Sequence, residues 1–312
     1  MISVLIATRN RRKKLRQCVL SIEQSTLNKP FEIVIIDQSS TNDADFFKTL
    51  SIPVRYYHRA SKGKARAINF GLQKVRGKVV AFTDDDCVVR KDWLLSIDKF
   101  FSDKRNASIS AVFGQTIAHK PERVNKKLCC PAIFKSNSCY SIFNPYMQHY
   151  KILGLGNNMA VKMDVFKKTG LFKNWLGVGS IVGAGGIESE FIFRMLINKL
   201  KISHCTNIVV FHDRWINKKE WVVLESRYSC GLMAFYFYYV VTDFKMIRLI
   251  GDRIYSNVHF INLIFSCKRW KFWLCLLESS YCIRKDLIEA KHMIRGGIIG
   301  CLFFIKDRLT KL

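Results

Sequence analysis

Prolines are scarce, with five in 312 residues, so a long proline-rich linker between domains is excluded. Acidic residues are scarce too: 24 Asp and Glu stand against 51 Lys and Arg, a formal net charge of +27. That balance excludes an acidic solvating chain and points to partners with negative charge, namely nucleotides, nucleic acid or an anionic membrane surface. The eleven cysteines contain no C-x-x-C spacing, which removes the usual zinc and redox frames. No G-x-x-x-x-G-K-[ST] phosphate loop occurs, and no apolar run reaches the ~18 residues of a membrane-spanning helix. Lys and Arg are spread along the chain without a basic arm, which weakens a nucleic-acid-binding reading. Met1-Ile2-Ser3-Val4-Leu5-Ile6 lacks a basic n-region and a cleavage site, so the expectation is a cytoplasmic chain with reduced, mostly buried thiols.

What is present is the composition of a folded protein, 49% hydrophobic and 24% charged. Ile2 to Ala7 reads as a buried strand, Arg11 to Gln24 as a helix with Leu15, Cys18, Val19 and Ile22 on one face, and Phe31 to Ile36 as a second strand. Val54 to His58 is a candidate third strand, Ala65 to Val75 a helix ended by Gly77, and Lys78 to Thr83 a fourth strand. This order predicts a doubly wound α/β fold, whose ligands bind beyond the carboxyl ends of the strands. Three polar clusters stand at those ends: Thr8-Arg9-Asn10-Arg11, Asp37-Gln38-Ser39-Ser40 and Asp84-Asp85-Asp86. Three consecutive carboxylates repel one another unless a cation separates them, and a hard divalent cation shared with substrate phosphates is the economical partner.

These segments, together with Lys64-Ala65-Arg66 through Asn69 and Gly71, resemble in content and order the family 2 glycosyltransferases, over roughly residues 1–215. The resemblance implies a GT-A (Rossmann-like) domain over 1–215, a mostly parallel sheet with helices on both faces, followed by a C-terminal helical extension over 216–312. It implies that Thr8, Asn10, Asp37, Arg66, Asp84 and Asp85 bind a nucleotide-diphosphate sugar, and that Asp84, Asp86 and His212 hold Mg²⁺ or Mn²⁺. Gly154-Leu155-Gly156-Asn157-Asn158-Met159 is similar to the family's acceptor-side segment, which puts Asn158 there, with Gly186 at the end of the glycine-rich run Gly177 to Gly186. That run reads as a mobile loop over the site. Counting back from Arg194, Glu188 falls where the family carries its catalytic Asp and Glu190 where its second acid stands, while Ile187 replaces the usual preceding Glu. Both are candidates for the base that takes a proton from an attacking sugar hydroxyl.

The function so implied is an inverting glycosyltransferase acting on a polysaccharide or lipid-linked acceptor. Its rivals are a metal-dependent nucleotidyl or phosphoryl transferase and a basic nucleic-acid-binding protein. The first lacks a phosphate loop; the second lacks a recognisable module, so no nucleic-acid partner is expected. From Trp215 onward the chain turns apolar and aromatic, in Gly231 to Thr242, Val258 to Phe265, Trp270 to Leu277 and Gly296 to Ile305. Beside Lys268, Arg269, Lys271 and Arg284, these stretches suit interfacial helices on an anionic membrane, which predicts peripheral attachment at the inner face of the plasma membrane.

Overall fold

Period-two alternation decides how the first strand is covered. Strand β1 (Ile2–Thr8) sends Ile2, Val4 and Ile6 into one apolar cluster with Leu15, Cys18, Val19 and Ile22, while Leu5 faces the opposite side. The computed structural model describes residues 1–142, 144–145, 153–183, 185–240, 242–247, 250 and 291–307. Its elements are β1, α1 (Arg12–Glu23), β2 (Phe31–Asp37), α2 (Ala44–Lys48), β3 (Val54–His58), α3 (Lys64–Leu72), β4 (Val79–Thr83), β5 (Cys87–Val89), α4 (Trp93–Ser102), β6 (Ile109–Ala118), β7 (Tyr140–Ile142), β8 (Asn158–Lys162), α5 (Val165–Thr169), α6 (Ile187–Ile197), β9 (Lys201–His212) and α7 (Lys218–Val240). They divide into two compact units. The first comprises Met1–Pro145, Tyr150–Asn174 and Glu188–Lys218; the second comprises Trp175–Ile187 and the described residues from Lys219 onward.

The first unit is built on a nine-stranded sheet of order β3-β2-β1-β4-β8-β6-β9-β5, with β7 paired to β9. β3, β2, β1 and β4 run parallel, as expected. The second half adds antiparallel pairings of β8 with β4 and β6, and of β5 and β7 with β9, while β6 and β9 run parallel. Helices cover both faces. α1 and α4 bury Leu15, Ile22, Trp93, Leu94 and Ile97 on the face of Val4 and Ile33. α3 lies on the other: a β-carbon at Gly71 would stand 2.3 Å from Leu5 Cδ1 and 3.1 Å from Ile36 Cγ1. Each fully buried Leu or Ile contributes about 1.5–3 kcal/mol.

Buried polar residues tie the strands to their loops. Glu32 of β2 accepts from Ser3 Oγ at 2.7 Å, from the Arg76 backbone N–H at 2.6 Å and from Arg55 Nη1 at 3.2 Å. Burial pushes the Glu32 pKa up, but these donors outweigh it and hold the carboxyl below its ordinary value. On α3, Asn69 donates to Phe172 O at 2.7 Å and accepts from Phe172 N–H at 3.0 Å, stapling the helix to the segment after α5.

In the second unit a helix over 291–307 packs against α7 at backbone contact. A β-carbon at Gly296 would stand 2.1 Å from Cys230 O, and one at Gly300 2.2 Å from Ala234 O, so this is small-residue packing at four-residue spacing. Trp175 stacks on Phe303 with ring centroids 4.9 Å apart. The aromatic run around Phe235, expected at a membrane surface, is instead largely core: Phe235, Tyr236 and Tyr238 are buried. Val258 to Phe265 and Trp270 to Leu277 lie outside the described residues, as do Lys268, Arg269, Lys271 and Arg284.

Candidate active site

The parallel register of β1 with β4 brings the chain ends after Thr8 and Thr83 together, because both strands stop on the same edge of the sheet. Thr8 Oγ1 donates to Asp85 Oδ2 at 2.6 Å. Past Asn10, whose φ of 56 marks a left-handed turn, Arg11 swings back so that its Nη1 lies 3.0 Å from Asp85 Oδ1 and 2.6 Å from Asp86 Oδ2. Asp86 also faces His212 from the end of β9, with Nε2 3.3 Å from Oδ1. The opposite ring nitrogen, Nδ1, donates to the Pro131 carbonyl at 2.6 Å, so both His212 nitrogens are N–H donors. Burial alone would lower the His212 pKa; the Asp86 carboxylate outweighs it and pushes the value up to about 10. Asp86 is held well below the usual carboxylate range against its own burial, by His212 and Arg11. Asp85 shifts the other way, raised by burial and by its neighbour Asp86.

Asp84 has a different partner. Lys64, the first residue of α3, places Nζ 2.6 Å from Asp84 Oδ1 and 3.8 Å from Glu188 Oε1. Burial would lower the lysine's pKa, but the two carboxylates raise it, so it stays an ammonium. Glu188, in the first turn of α6, rests on Gly156: a β-carbon there would stand 2.2 Å from Glu188 Cγ and 2.3 Å from Oε1. Gly156→Ala is therefore expected to displace this carboxylate. Initial rates should fall about 10–100-fold, the range a misplaced catalytic group costs, with a thermal midpoint near wild type; an unchanged rate would show that the seat is not needed.

Several expected site residues stand elsewhere. Glu190, offered beside Glu188 as a base, is fully buried, and Arg194 grips it bidentately with both N···O distances at 2.7 Å. Arg194 in turn donates to the carbonyls of Thr169 and Gly170. Glu190 is thus a structural anchor, which corrects the expectation. Asn158, expected on the acceptor side, is also fully buried: it accepts from Trp93 Nε1 at 2.9 Å and donates to Gln115 O at 2.7 Å and Ile208 O at 3.0 Å. With every amide position used inside the sheet, no surface remains for an acceptor. Gly186, with φ +77, would put a β-carbon 2.5 Å from Gly231 O; it is a packing glycine of the second unit.

The remaining residues flank the acids. Asp37, at the end of β2, accepts from Tyr56 Oη and the Ser39 N–H. The Asn10 N–H donates to Ser39 Oγ at 2.7 Å. Arg66 is exposed on α3, two residues from Lys64 and so on a different side of the helix. Asp84, Asp86 and His212 do not converge as one cluster, and among the described residues no group of three His, Cys, Asp or Glu side chains does. Asp86 offers an oxygen donor as it stands, and His212 would add a nitrogen donor once a cation displaces the Nε2 proton it shares with Asp86, chemistry that suits a divalent cation completed by phosphate and water. The roles of Arg11, Lys64 and Gly156 escaped the sequence reading.

Solved structures share this architecture. A mannosyltransferase from Pyrobaculum calidifontis, in complex with GDP-Man and Mn²⁺, aligns over 96% of this chain and 86% of its own with a TM-score of 0.57 at 14% identity. The S. aureus TarS fragment 1–349 in complex with UDP-GlcNAc aligns over 99% of this chain and 92% of its own with a TM-score of 0.56 at 12% identity. The fold is therefore the GT-A fold of glycosyltransferases. Residues 3–170 match glycosyl transferase family 2, more than half of the sequence, and the chain belongs to that family. A glycosyltransferase of Rickettsia felis is 26% identical over 84% of this chain and 44% of its own length. The chain thus spans under half the length of that relative.

Proposed function

We propose that the protein moves a sugar from a nucleoside-diphosphate donor to a hydroxyl of a polysaccharide or lipid-linked acceptor in one displacement, with inversion at the anomeric carbon. The observation that carries this reading is Lys64, which holds Asp84 and Glu188 within 3.8 Å of one ammonium. A donor seated on the acid cluster then presents its anomeric carbon to a hydroxyl whose proton Glu188 accepts, and one base without a nucleophile gives inversion. Thr8, Asn10, Asp37, Asp85 and Arg66 surround the nucleotide in this reading. Asp86 and His212 would hold Mn²⁺ or Mg²⁺, which when bound offsets charge on the departing diphosphate. That two fold neighbours were solved with GDP-Man or UDP-GlcNAc supports a nucleotide-sugar donor. Calorimetry with a panel of uridine, guanosine and thymidine diphosphate sugars, with and without Mn²⁺, tests it. One base is expected to bind, more tightly with the metal; no binding by any would refute the proposal.

Membrane attachment is the second part of the reading, and the helix over 291–307 supports it. Ile294, Ile298, Leu302 and Ile305 are 52–65% exposed and form one stripe opposite the glycine contacts with α7. Lys291, Arg295 and Arg227 gather around His292, and their charges depress its pKa further after burial has lowered it. An apolar stripe beside cations suits an anionic bilayer surface and peripheral attachment at the cytoplasmic face. Among the described residues no helix is long and apolar enough to cross a membrane. Replacing Ile298 and Leu302 together by Asp should abolish flotation with anionic vesicles and leave donor binding intact; unchanged flotation would dismiss the stripe.

A further inference from the structure

Strand β7 is attached to the sheet through β9. The antiparallel register pairs Tyr140 with His204, Ser141 with Ser203 and Ile142 with Ile202. One step outward the same register sets Cys139 across from Cys205. Thr206 fixes the Cys139 side chain, its backbone N–H donating to Sγ at 3.3 Å and its hydroxyl lying 3.5 Å from Sγ. The two thiols stand close enough that each influences the other's ionisation. Residues directly opposed on antiparallel strands have α-carbons about 4.5–5.5 Å apart, inside the span of about 4.4–6.8 Å that disulfides bridge. Both cysteines are free, Cys139 exposed and Cys205 buried.

The geometry points to a dithiol modification site: Cys139 and Cys205 react with a low-molecular-weight disulfide such as oxidised glutathione and close to a cross-strand disulfide that clamps β7 to β9. Cys139 is the entry thiol. It is accessible, and although partial burial would raise its pKa, the bonds from Thr206 and the nearby Cys205 lower it, which favours the thiolate. Burial keeps the Cys205 thiol protonated more than usual. In the first exchange the Cys139 thiolate attacks one sulfur of glutathione disulfide. The S–S bond breaks, and the leaving glutathione thiolate takes up the proton that Cys139 lost. In the second, Cys205 gives its proton to solvent and attacks the Cys139 sulfur of the mixed disulfide. The second glutathione leaves and is protonated. Two protein thiols are oxidised by two electrons, and one glutathione disulfide is reduced to two thiols. The clamp falls on the strand that carries His212 at its far end, and it ties down the segment His119 to Ile142 that precedes β8. The inference does not depend on which donor or acceptor the enzyme uses.

The test treats the full chain with oxidised glutathione, quenches with acid and an alkylating reagent, and maps the peptides by mass. The expected product has lost two hydrogens, contains a Cys139–Cys205 linked peptide, and reverts with dithiothreitol. Cys205→Ser should stop at one glutathione on residue 139, and Cys139→Ser should give no linked peptide. The wild-type map decides the matter even if a variant fails to fold. A link joining other cysteines, or a Cys139 that stays alkylatable when the exposed Cys129 is already glutathionylated, overturns the proposal.

Discussion

Glu188→Gln is expected to lower turnover by about 10²–10⁴-fold, the contribution of a positioned general base, while donor affinity stays near wild type. Gln keeps the size of the side chain and one acceptor oxygen over Gly156, but it cannot take the hydroxyl proton, so the loss falls on the chemical step. The Lys64 ammonium remains paired with Asp84 at 2.6 Å, which preserves the donor side. Glu190→Gln should behave differently. It breaks a buried bidentate pair whose disruption costs about 3–5 kcal/mol, so the thermal midpoint falls, whereas the rate of the protein that remains folded changes little. Calorimetry, initial rates and thermal unfolding on both variants separate the two. A stable, inactive Glu190→Gln beside an active Glu188→Gln would reverse the assignment.

Asp86→Ala is expected to remove metal-dependent turnover altogether and also to destabilise the fold. The crowding of three carboxylates in the sequence suggests that deleting one relieves repulsion, so that stability holds or rises. The structure reverses that sign. Asp86 accepts from Arg11 at 2.6 Å and faces His212 at 3.3 Å. Alanine strips the buried His212 of its carboxylate and leaves Arg11 with Asp85 alone, a loss of about 1–3 kcal/mol. Manganese titration followed by calorimetry should show the cation affinity lost, and chemical denaturation should show the lower stability. Turnover that persists in the variant with a chelator present would rule out Asp86 as the metal's residue.

The strands β1, β2 and β4 are legible because each is an apolar run closed by a polar cluster, and the expected ends of β1 to β4 coincide with the described elements to within a residue or two. That is also why the acids could be placed: the parallel strands stop on one edge, and Asp84 to Asp86 follow directly. The distinction between Glu188 and Glu190 was carried by a signal left unused. Glu190 and Arg194 stand four residues apart, the helical spacing of an ion pair, and that pairing removes Glu190 from the acceptor side. Asn158 misled because Gly-Asn-Asn reads as a loop. Its burial depends on Trp93, Gln115 and Ile208, contacts 43 to 65 residues away that no local pattern encodes. Arg11 and Lys64 were visible as residues, but the carboxylate each one meets is set by the crossing of distant strand ends.

The sheet order has a consequence for how the enzyme is assembled as it leaves the ribosome. The half formed by β3, β2, β1 and β4 draws on the first 83 residues and can condense early, through short crossovers. β5, which continues directly from the acid cluster, has its sheet partner in β9, with Cys87 opposite His212. At ~5–20 residues per second, β9 emerges roughly 6–25 s after β5. Until then Asp86 has neither its imidazole nor the strand that fixes its direction. The parallel half of the sheet is therefore among the first parts of the chain to form, and the surroundings of Asp86 are among the last to be set in place.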